Sequence, residues 1–330
     1  MPSSRESLTG DPPQSAIHSC FSLAVIAFSL LPLCLFAFSL LGRYFFLAEL
    51  INNFRCQIML LLLPFALLLL LFRQWWLAIL YAFATAWSMV GIVWIFFPDA
   101  QPPPGATTIK FMSFNVLDTN PTPPLALARI LEHDADVVTV VEFANDWPEV
   151  LLPLHDKYPY RLLQPRHHGF GIAFFSKLPL SDIRVHQLGE DETDCPMIVS
   201  TITVGEQKIR LAGMHVFSPT NRLRMDLRNR LLSEAAQILS LSNDPTIVMG
   251  DFNCTPWSPF LSDFVAATGY RDSRQGFGYQ ATWHKDLGIF KIPIDHAFIS
   301  DSIHVHNRFV ATAAGSDHLP IVFEVSVSPD

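Results

Sequence analysis

An α/β domain, its sheets covered by helices and preceded by transmembrane helices, is the fold predicted by this sequence of 330 residues. Three observations carry the prediction. Charge is almost excluded from the first hundred residues: between Ile17 and Phe97 the only formal charges are Arg43, Glu49, Arg55 and Arg73. Short, almost continuously apolar runs then recur from Ile109 to Val327, as strands buried on both faces do. Helical patterns lie between those runs, an order that produces sheets packed under helices.

The N-terminal part, residues 1–97, reads as a membrane anchor with about three hydrophobic spans, 19–41, 57–72 and 75–97. The first carries no charge and is long enough, at about 1.5 Å per residue, to cross a hydrocarbon core of roughly 30 Å. A signal peptide would have an apolar core of only about 7–15 residues, and no small-residue cleavage site follows. The second run is short and interrupted by Pro64; the third has full length. Arg73, Trp75 and Trp76 mark the turn between them, and Arg and Trp gather at membrane interfaces. One span followed by a re-entrant hairpin is the alternative to three spans. Residues 98–108 (PDAQPPPGATT) form a Pro-rich linker, extended and semi-rigid.

Residues 109–330 form the second unit. Strands are predicted over Ile109–Phe114, Val137–Val141, Gly171–Phe175, Met197–Val204, Lys208–Val216, Thr246–Met249, Ile294–Ile299 and Ile321–Val327. Helices are predicted over Leu125–Leu131, Pro256–Thr268 and Arg222–Leu241, the last with Leu223, Leu227, Leu231 and Ile238 on one stripe. Gly205-Glu206-Gln207 joins two strands as a hairpin, so some pairing is antiparallel and a pure Rossmann sheet is excluded. No GxGxxG or Walker motif occurs.

From Gly105 onward 18 basic residues stand against 26 acidic ones, so the net charge of −8 belongs to this part. An acidic domain has no broad basic footprint for processive nucleic-acid binding, although it can reach a few phosphates through a cation. The five cysteines contain no CxxC, which argues against a cysteine zinc site, and Cys195 and Cys254 are expected as free thiols.

Polar residues cluster at the ends of the apolar strands: Asn115 after IKFMSF, Glu142 after VVTVV, His215 in LAGMHV, Asp251 and Asn253 in IVMGDFN, and Asp317-His318 in GSDHLPI. Asp295 lies inside IPIDHAFI, where an unpaired carboxylate would be costly. Each alone reads as a turn or solvated residue. Together they read as side chains converging on one crevice at the strand ends. Carboxylates and amides suit a hard divalent cation, and an Asp–His pair supplies an oriented imidazole. Arg222, Arg224, Arg228 and Arg230 open the long helix after His215; they suit substrate phosphates or anionic lipid, or a solvated face paired with Asp226 and Glu234. His167-His168 suits a cleft wall or a surface loop, and Trp257 suits packing.

SFNV, VVE, GFGIAFFSKLPL, GMHVFSP, IVMGDFNCTPWS, IPIDHAFIS and GSDHLPIVFEV stand in the order of the endonuclease/exonuclease/phosphatase superfamily, which the chain resembles over about residues 108–327. GDFN followed by SDHLP is the specific part. The N-terminal spans make it look most like bacterial membrane-attached members. The resemblance implies two packed mixed β-sheets flanked by helices, a four-layer sandwich. It implies Mg²⁺ or Mn²⁺ held by Glu142 with Asn115 and Asp317, and Asp251 orienting or deprotonating the attacking water. Asn253 would hold a phosphoryl oxygen, His215 and His318 would stabilise phosphoryl charge, and Asp295 would fix the tautomer of His318. The chain departs from the pattern at Leu117, Val141 and His296, where an acidic residue, a Gln and an aromatic are frequent; Asp118 is one place off.

The expected activity is metal-dependent hydrolysis of phosphodiesters, in nucleic acid or lipid headgroups, or of phosphomonoesters. A catalytically inert membrane-bound binding module is the alternative. The bilayer and the phosphate ester are the expected partners, with no obligate protein partner. The positive-inside count ties, Arg5 and Arg73 against Arg43 and Arg55. The short Arg-bearing hairpin tips the reading toward an integral protein of a bacterial inner membrane with its catalytic domain on the periplasmic side.

Overall fold

A computed structural model of the chain describes residues 14–98, 106–144, 146–167, 169–189 and 195–327, with side chains in the first helix from residue 25. Four helices come first: α1 (Gln14–Ser39), α2 (Phe46–Asn52), α3 (Arg55–Leu71) and α4 (Trp75–Val90). Ile58, Leu62 and Leu69 of α3 pack on Ala78, Tyr81 and Ala84 of α4 and on Val25 and Phe36 of α1. The outer surface of this unit is apolar: Leu71 is 79% exposed, Trp76 83% and Phe28 67%.

Two expectations about the runs change. Pro64 lies inside α3 and does not break it. Proline forfeits one backbone hydrogen bond, and the buried Leu62 and Leu69 on either side hold the helix against its neighbours. The third run ends as a helix at Val90, because Ile92 and Ile95 turn to pack on Trp257 of the following domain. Among the described residues no single helix is long and apolar enough to cross a membrane. The pair Phe46–Asn52 and Arg55–Leu71, bent by 74°, meets that test together. Of the expected linker, residues 99–105 lie outside the described residues.

The rest of the chain runs β1 (Ile109–Asn115), α5 (Pro123–His133), β2 (Val137–Val141), α6 (Trp147–Val150), β3 (Tyr160–Gln164), β4 (Ile172–Ser176), β5 (Ser181–Leu188), β6 (Cys195–Val204), β7 (Gln207–His215), α7 (Arg222–Leu239), β8 (Thr246–Asp251), α8 (Pro259–Thr268), β9 (Arg271–Asp272), β10 (Asp295–Ile299), β11 (Ile303–Val310) and β12 (Ile321–Val327). One six-stranded sheet has the order β11-β12-β1-β2-β4-β3 and the other β5-β6-β7-β8-β10-β9. Each is mixed: β1–β2 and β7–β8 are the parallel pairs, and the remaining neighbours are antiparallel.

The inner faces of both sheets meet in one core that includes Phe111, Phe174, Ile198, Leu211, Ile247 and Phe323. Contact is close: a Cβ on Gly213 of β7 would sit 2.6 Å from the Phe174 ring of β4. α5 and α6 cover the outer face of the first sheet, and α7 and α8 that of the second. The stripe of α7 is rotated from the predicted one. Leu223 is exposed, and the buried side chains are Met225, Arg228, Leu231, Leu232, Ala235, Ala236 and Leu239.

Candidate active site

The two parallel pairs set the geometry. Parallel neighbours end at the same side of a sheet, so the residues at their ends are delivered to one place. Asn115, the last residue of β1, is level with Val141 of β2, and Glu142 comes next. His215 ends β7 level with Asp251 at the end of β8. Asp295 begins the antiparallel β10 directly opposite Asp251. The turn before β12 brings Asp317 and His318 to the same seam between the sheets.

Local sequence makes these ends possible. Gly250 has φ +147°, and a Cβ there would lie 1.8 Å from the Met214 carbonyl oxygen, so only glycine lets β8 run this close to β7 before Asp251. Glu142 and Asn253 adopt left-handed backbone angles, φ 59° and 48°. Such conformations cost of order 1–3 kcal/mol and persist where surrounding contacts fix them.

Asp251 is the hub. Its Oδ1 accepts the Asn253 backbone N–H at 2.8 Å, and its Oδ2 accepts the amide groups of Asn115 at 3.1 Å and Asn253 at 3.3 Å. His215 Nε2 and His318 Nε2 each stand 3.7 Å from that same Oδ2. Burial, then the neighbouring Asp295 charge, raises Asp251 to about 6. His318 Nδ1 lies 2.9 Å from Asp295 Oδ2. Burial lowers His318, but the Asp295 and Asp251 carboxylates outweigh it and raise it to about 10, which makes it an imidazolium at neutral pH. His215 differs: burial lowers it, and its Nδ1–H donates to the Gly169 carbonyl at 3.0 Å. Its Nε2 is then an acceptor, 3.3 Å from the Asn253 amide.

Glu142 shares the Asn115 amide with Asp251, accepting it at 2.9 Å, and also accepts the Asp118 backbone N–H at 2.9 Å. Burial raises Glu142 despite those bonds. Leu117 takes a left-handed angle, φ 60°, and its N–H donates to Asn115 Oδ1 at 3.0 Å. The displaced Asp118 therefore supports Glu142 through its backbone. Asp317 Oδ2 accepts Trp283 Nε1–H at 2.9 Å, while Asp317 Oδ1 is buried with no hydrogen-bond partner among the described residues. A buried anionic oxygen left so is expensive unless a cation meets it. With Glu142 beside the same cleft, hard oxygen donors fit a divalent cation of the Mg²⁺ type. Asp251, Asp295 and His318 also have ligand atoms within 4.8 Å of one another. In that cluster the His318 Nδ1 is already bonded to Asp295, which suits a charge-paired imidazolium better than a metal ligand.

All eight predicted site residues thus lie in one region around a cleft of about 550 Å³, with Asn115 and Asp295 bracing the others from beneath. Trp283, which holds Asp317, and Phe170, whose ring lies 5.2 Å from that of His215, were not predicted; an isolated aromatic in a loop carries no periodic signal. Arg224 lines the cleft and Arg222 is exposed near Asp226, whereas Arg228 is fully buried. Glu234 accepts the Gly189 N–H instead of pairing with the arginines. His167 is exposed, and His168 lies outside the described residues. Trp257 is packed, stacked on Tyr279 at 6.0 Å. Cys195 and Cys254 are buried thiols not joined by a disulfide, and Cys195 Sγ–H donates to the His215 carbonyl at 2.7 Å. His296, in place of an aromatic, is buried and stacks on Phe298 at 5.2 Å as an aromatic would, with Nε2 bonded to the Cys254 carbonyl.

The model of the Endonuclease/Exonuclease/phosphatase family matches residues 112–318. Among solved structures, an endonuclease/exonuclease/phosphatase from Beutenbergia cavernae superposes with a TM-score of 0.54 at 18% identity, covering 67% of this chain and 72% of that one. TDP2 of D. rerio, complexed with a single-strand DNA product, gives 0.56 at 16%, covering 67% and 100%. The human Nocturnin catalytic domain with bound sulfate gives 0.53 at 19%, covering 67% and 95%. No curated protein matches the chain in sequence.

Proposed function

The chain belongs to the endonuclease/exonuclease/phosphatase family, and from that premise we propose that it is a membrane-anchored, divalent-metal-dependent phosphoric ester hydrolase. One observation carries the reading: the Asp295–His318 pair, Asp251, Glu142 and the unpartnered Asp317 oxygen converge on a single cleft, with the Asn115 amide touching both Glu142 and Asp251. A set of this kind suits a phosphoryl group, whose charge must be met while a water is activated beside it. Glu142 and Asp317 would hold the cation, with Asn115 fixing Glu142. The cation, when bound, offsets charge on the phosphoryl oxygens. Asp251, with a pKa of about 6, is ionised at neutral pH and accepts a proton from water. Protonated His318 donates to a phosphoryl oxygen and is held in position by Asp295. The Val216 carbonyl holds one Asn253 amide N–H at 2.9 Å, and the other, which the substrate-free site directs to Asp251 and His215, would turn to another phosphoryl oxygen.

The helices α1, α3 and α4 are read as embedded in a bilayer. Their outward surface is apolar, with Trp75 and Trp76 at the Arg73 turn; such a patch in water would drive association. We assign the sandwich to the periplasmic side of a bacterial inner membrane.

The test is turnover by the full chain in detergent on bis-aryl phosphate, single-stranded DNA and phospholipid, with Mg²⁺, with Mn²⁺ or with chelator. Chelator should abolish cleavage, and Glu142→Gln and His318→Gln should each lower kcat at least about 100-fold with an unchanged circular dichroism spectrum. Turnover unaltered in both variants would remove the hydrolase reading of this site, and cation binding without turnover of any phosphoester would favour a binding module.

A further inference from the structure

The cleft is not built by the sandwich alone. Leu50, Asn53 and Phe54, from α2 and the residues after it, line the cleft with His215, Asp251 and His318. This wall is fixed. Asn53 Oδ1 accepts both the backbone N–H and the hydroxyl of Thr255, at 3.1 and 2.9 Å, and the Asn52 amide donates to the Trp257 carbonyl at 2.5 Å. Glu49, fully buried, pairs with the fully buried Arg228 and accepts the Ser258 hydroxyl at 2.7 Å. Every partner lies in or beside the segment that carries Asn253.

The wall continues outward as apolar surface. Leu47 lies three residues before Leu50, on the same face of α2, and is 60% exposed. On the facing side Trp283 and Ile292 line the cleft, and the loop between them carries Leu287, Ile289 and Phe290, exposed by 45, 75 and 53%. Gln57 of α3 ties that loop to the helical unit through the Ile289 and Lys291 carbonyls, at 2.9 and 3.1 Å. A lane of apolar side chains therefore leads from the phosphate site toward the apolar outer surface of the helical unit.

We propose that this lane is a subsite for the apolar arm of the substrate, and that the substrate is an amphiphilic phosphoester resident in the bilayer. Its phosphate enters between Asp317 and His318 while its hydrocarbon stays against Leu47, Leu50 and Phe54. The inference rests on the hydrolase reading above. A nucleic acid could offer this lane only base stacking on Phe54 and Trp283, and the acidic sandwich offers its backbone no basic stripe.

The test uses the full chain in mixed micelles at fixed surface concentration of substrate. The probes are alkyl p-nitrophenyl phosphodiesters with arms of one, eight or sixteen carbons, together with a single-stranded oligonucleotide. Each methylene that leaves water for the lane adds about fourfold in kcat/KM, so about two or three of them seated beyond the micelle surface make the eight-carbon ester exceed the methyl ester at least about 30-fold. Leu50→Ser with Phe54→Ser should cut that ratio at least about tenfold, with the melting temperature as the check on folding. Metal-dependent turnover with no dependence on arm length, or preferred cleavage of the oligonucleotide, would overturn the subsite and leave the hydrolase intact. No turnover of any probe with Mg²⁺ or Mn²⁺ would overturn both.

Discussion

Removing the Glu49 carboxylate tests the junction between the helical unit and the sandwich. Glu49 and Arg228 are both fully buried, and the Arg228 guanidinium also donates to the Asn253 carbonyl at 3.1 Å and to Asn229. Glu49→Ala leaves that guanidinium buried without its counter-charge. Breaking a buried pair from one side costs about 3–5 kcal/mol, because the remaining charge stays desolvated. For a domain of this size each kcal/mol moves the melting temperature by about 2–4 °C, so the midpoint should fall by roughly 6–20 °C. The double variant Glu49→Met with Arg228→Leu removes both charges and should recover most of the loss, since apolar replacements of such pairs are often neutral or better. Activity should not recover with it, because a leucine side chain has no N–H to hold the Asn253 carbonyl. The measurement is thermal melting of the full chain in detergent beside kcat on a chromogenic phosphodiester. A Glu49→Ala midpoint within about 2 °C of wild type would show that the pair is solvated and the junction loose. A double variant with full activity would show that Arg228 does not position Asn253.

Two further outcomes are expected. His318 is raised from an ordinary 6.5 to about 10, against the lowering effect of burial, by the carboxylates of Asp295 and Asp251. A group whose folded value is raised stabilises fully below its unfolded value and ceases to as pH climbs through the folded one. In chelator the melting deficit of Asp295→Asn should thus be largest near pH 6 and shrink toward pH 10; a deficit constant with pH would refute the charge pair. Gly250→Ala should cost about 3 kcal/mol or more, from its backbone angle and its collision with Met214, whereas Gly205→Ala in open space should cost only about 1 kcal/mol. Denaturant midpoints distinguish the two, and equal losses would refute the close approach of β7 and β8.

The interior of the fold was legible and its rim was not. All eight predicted strands lie inside the two sheets: β1, β2, β4, β6, β7, β8, β10 and β12. The four missed, β3, β5, β9 and β11, are the four sheet edges. A strand with neighbours on both sides and layers above and below reads as an apolar run, as VVTVV does. β5, with Ser181 to Val185 all exposed, has no such run, and an edge strand is often polar. The site followed the same rule, since its residues terminate interior strands. α2 was invisible for another reason. It has seven residues, and its importance lies in Glu49, whose partner is 179 residues away. One signal was available: Arg228 sits on the apolar stripe between Met225 and Leu232, where an arginine needs a buried counter-charge, and Glu49 is the lone acid among apolar residues.

The seam between the sheets has a consequence for how the protein comes to be folded. Asn115 and Glu142 belong to one sheet and His215 and Asp251 to the other. The first sheet closes only when β12 returns to β1, Val325 opposite Ile109. The residues that would hold the cation, Glu142 and Asp317 with Asn115, all border the first sheet, so the cation site is complete only once the C-terminal β12 lies beside β1. A cation that binds only then acts as a clasp on that return. At a hundredfold excess over its dissociation constant it adds about 2.7 kcal/mol to stability. Scarcity of the metal would then show as slow maturation and proteolytic loss of the chain as well as lost turnover per folded molecule.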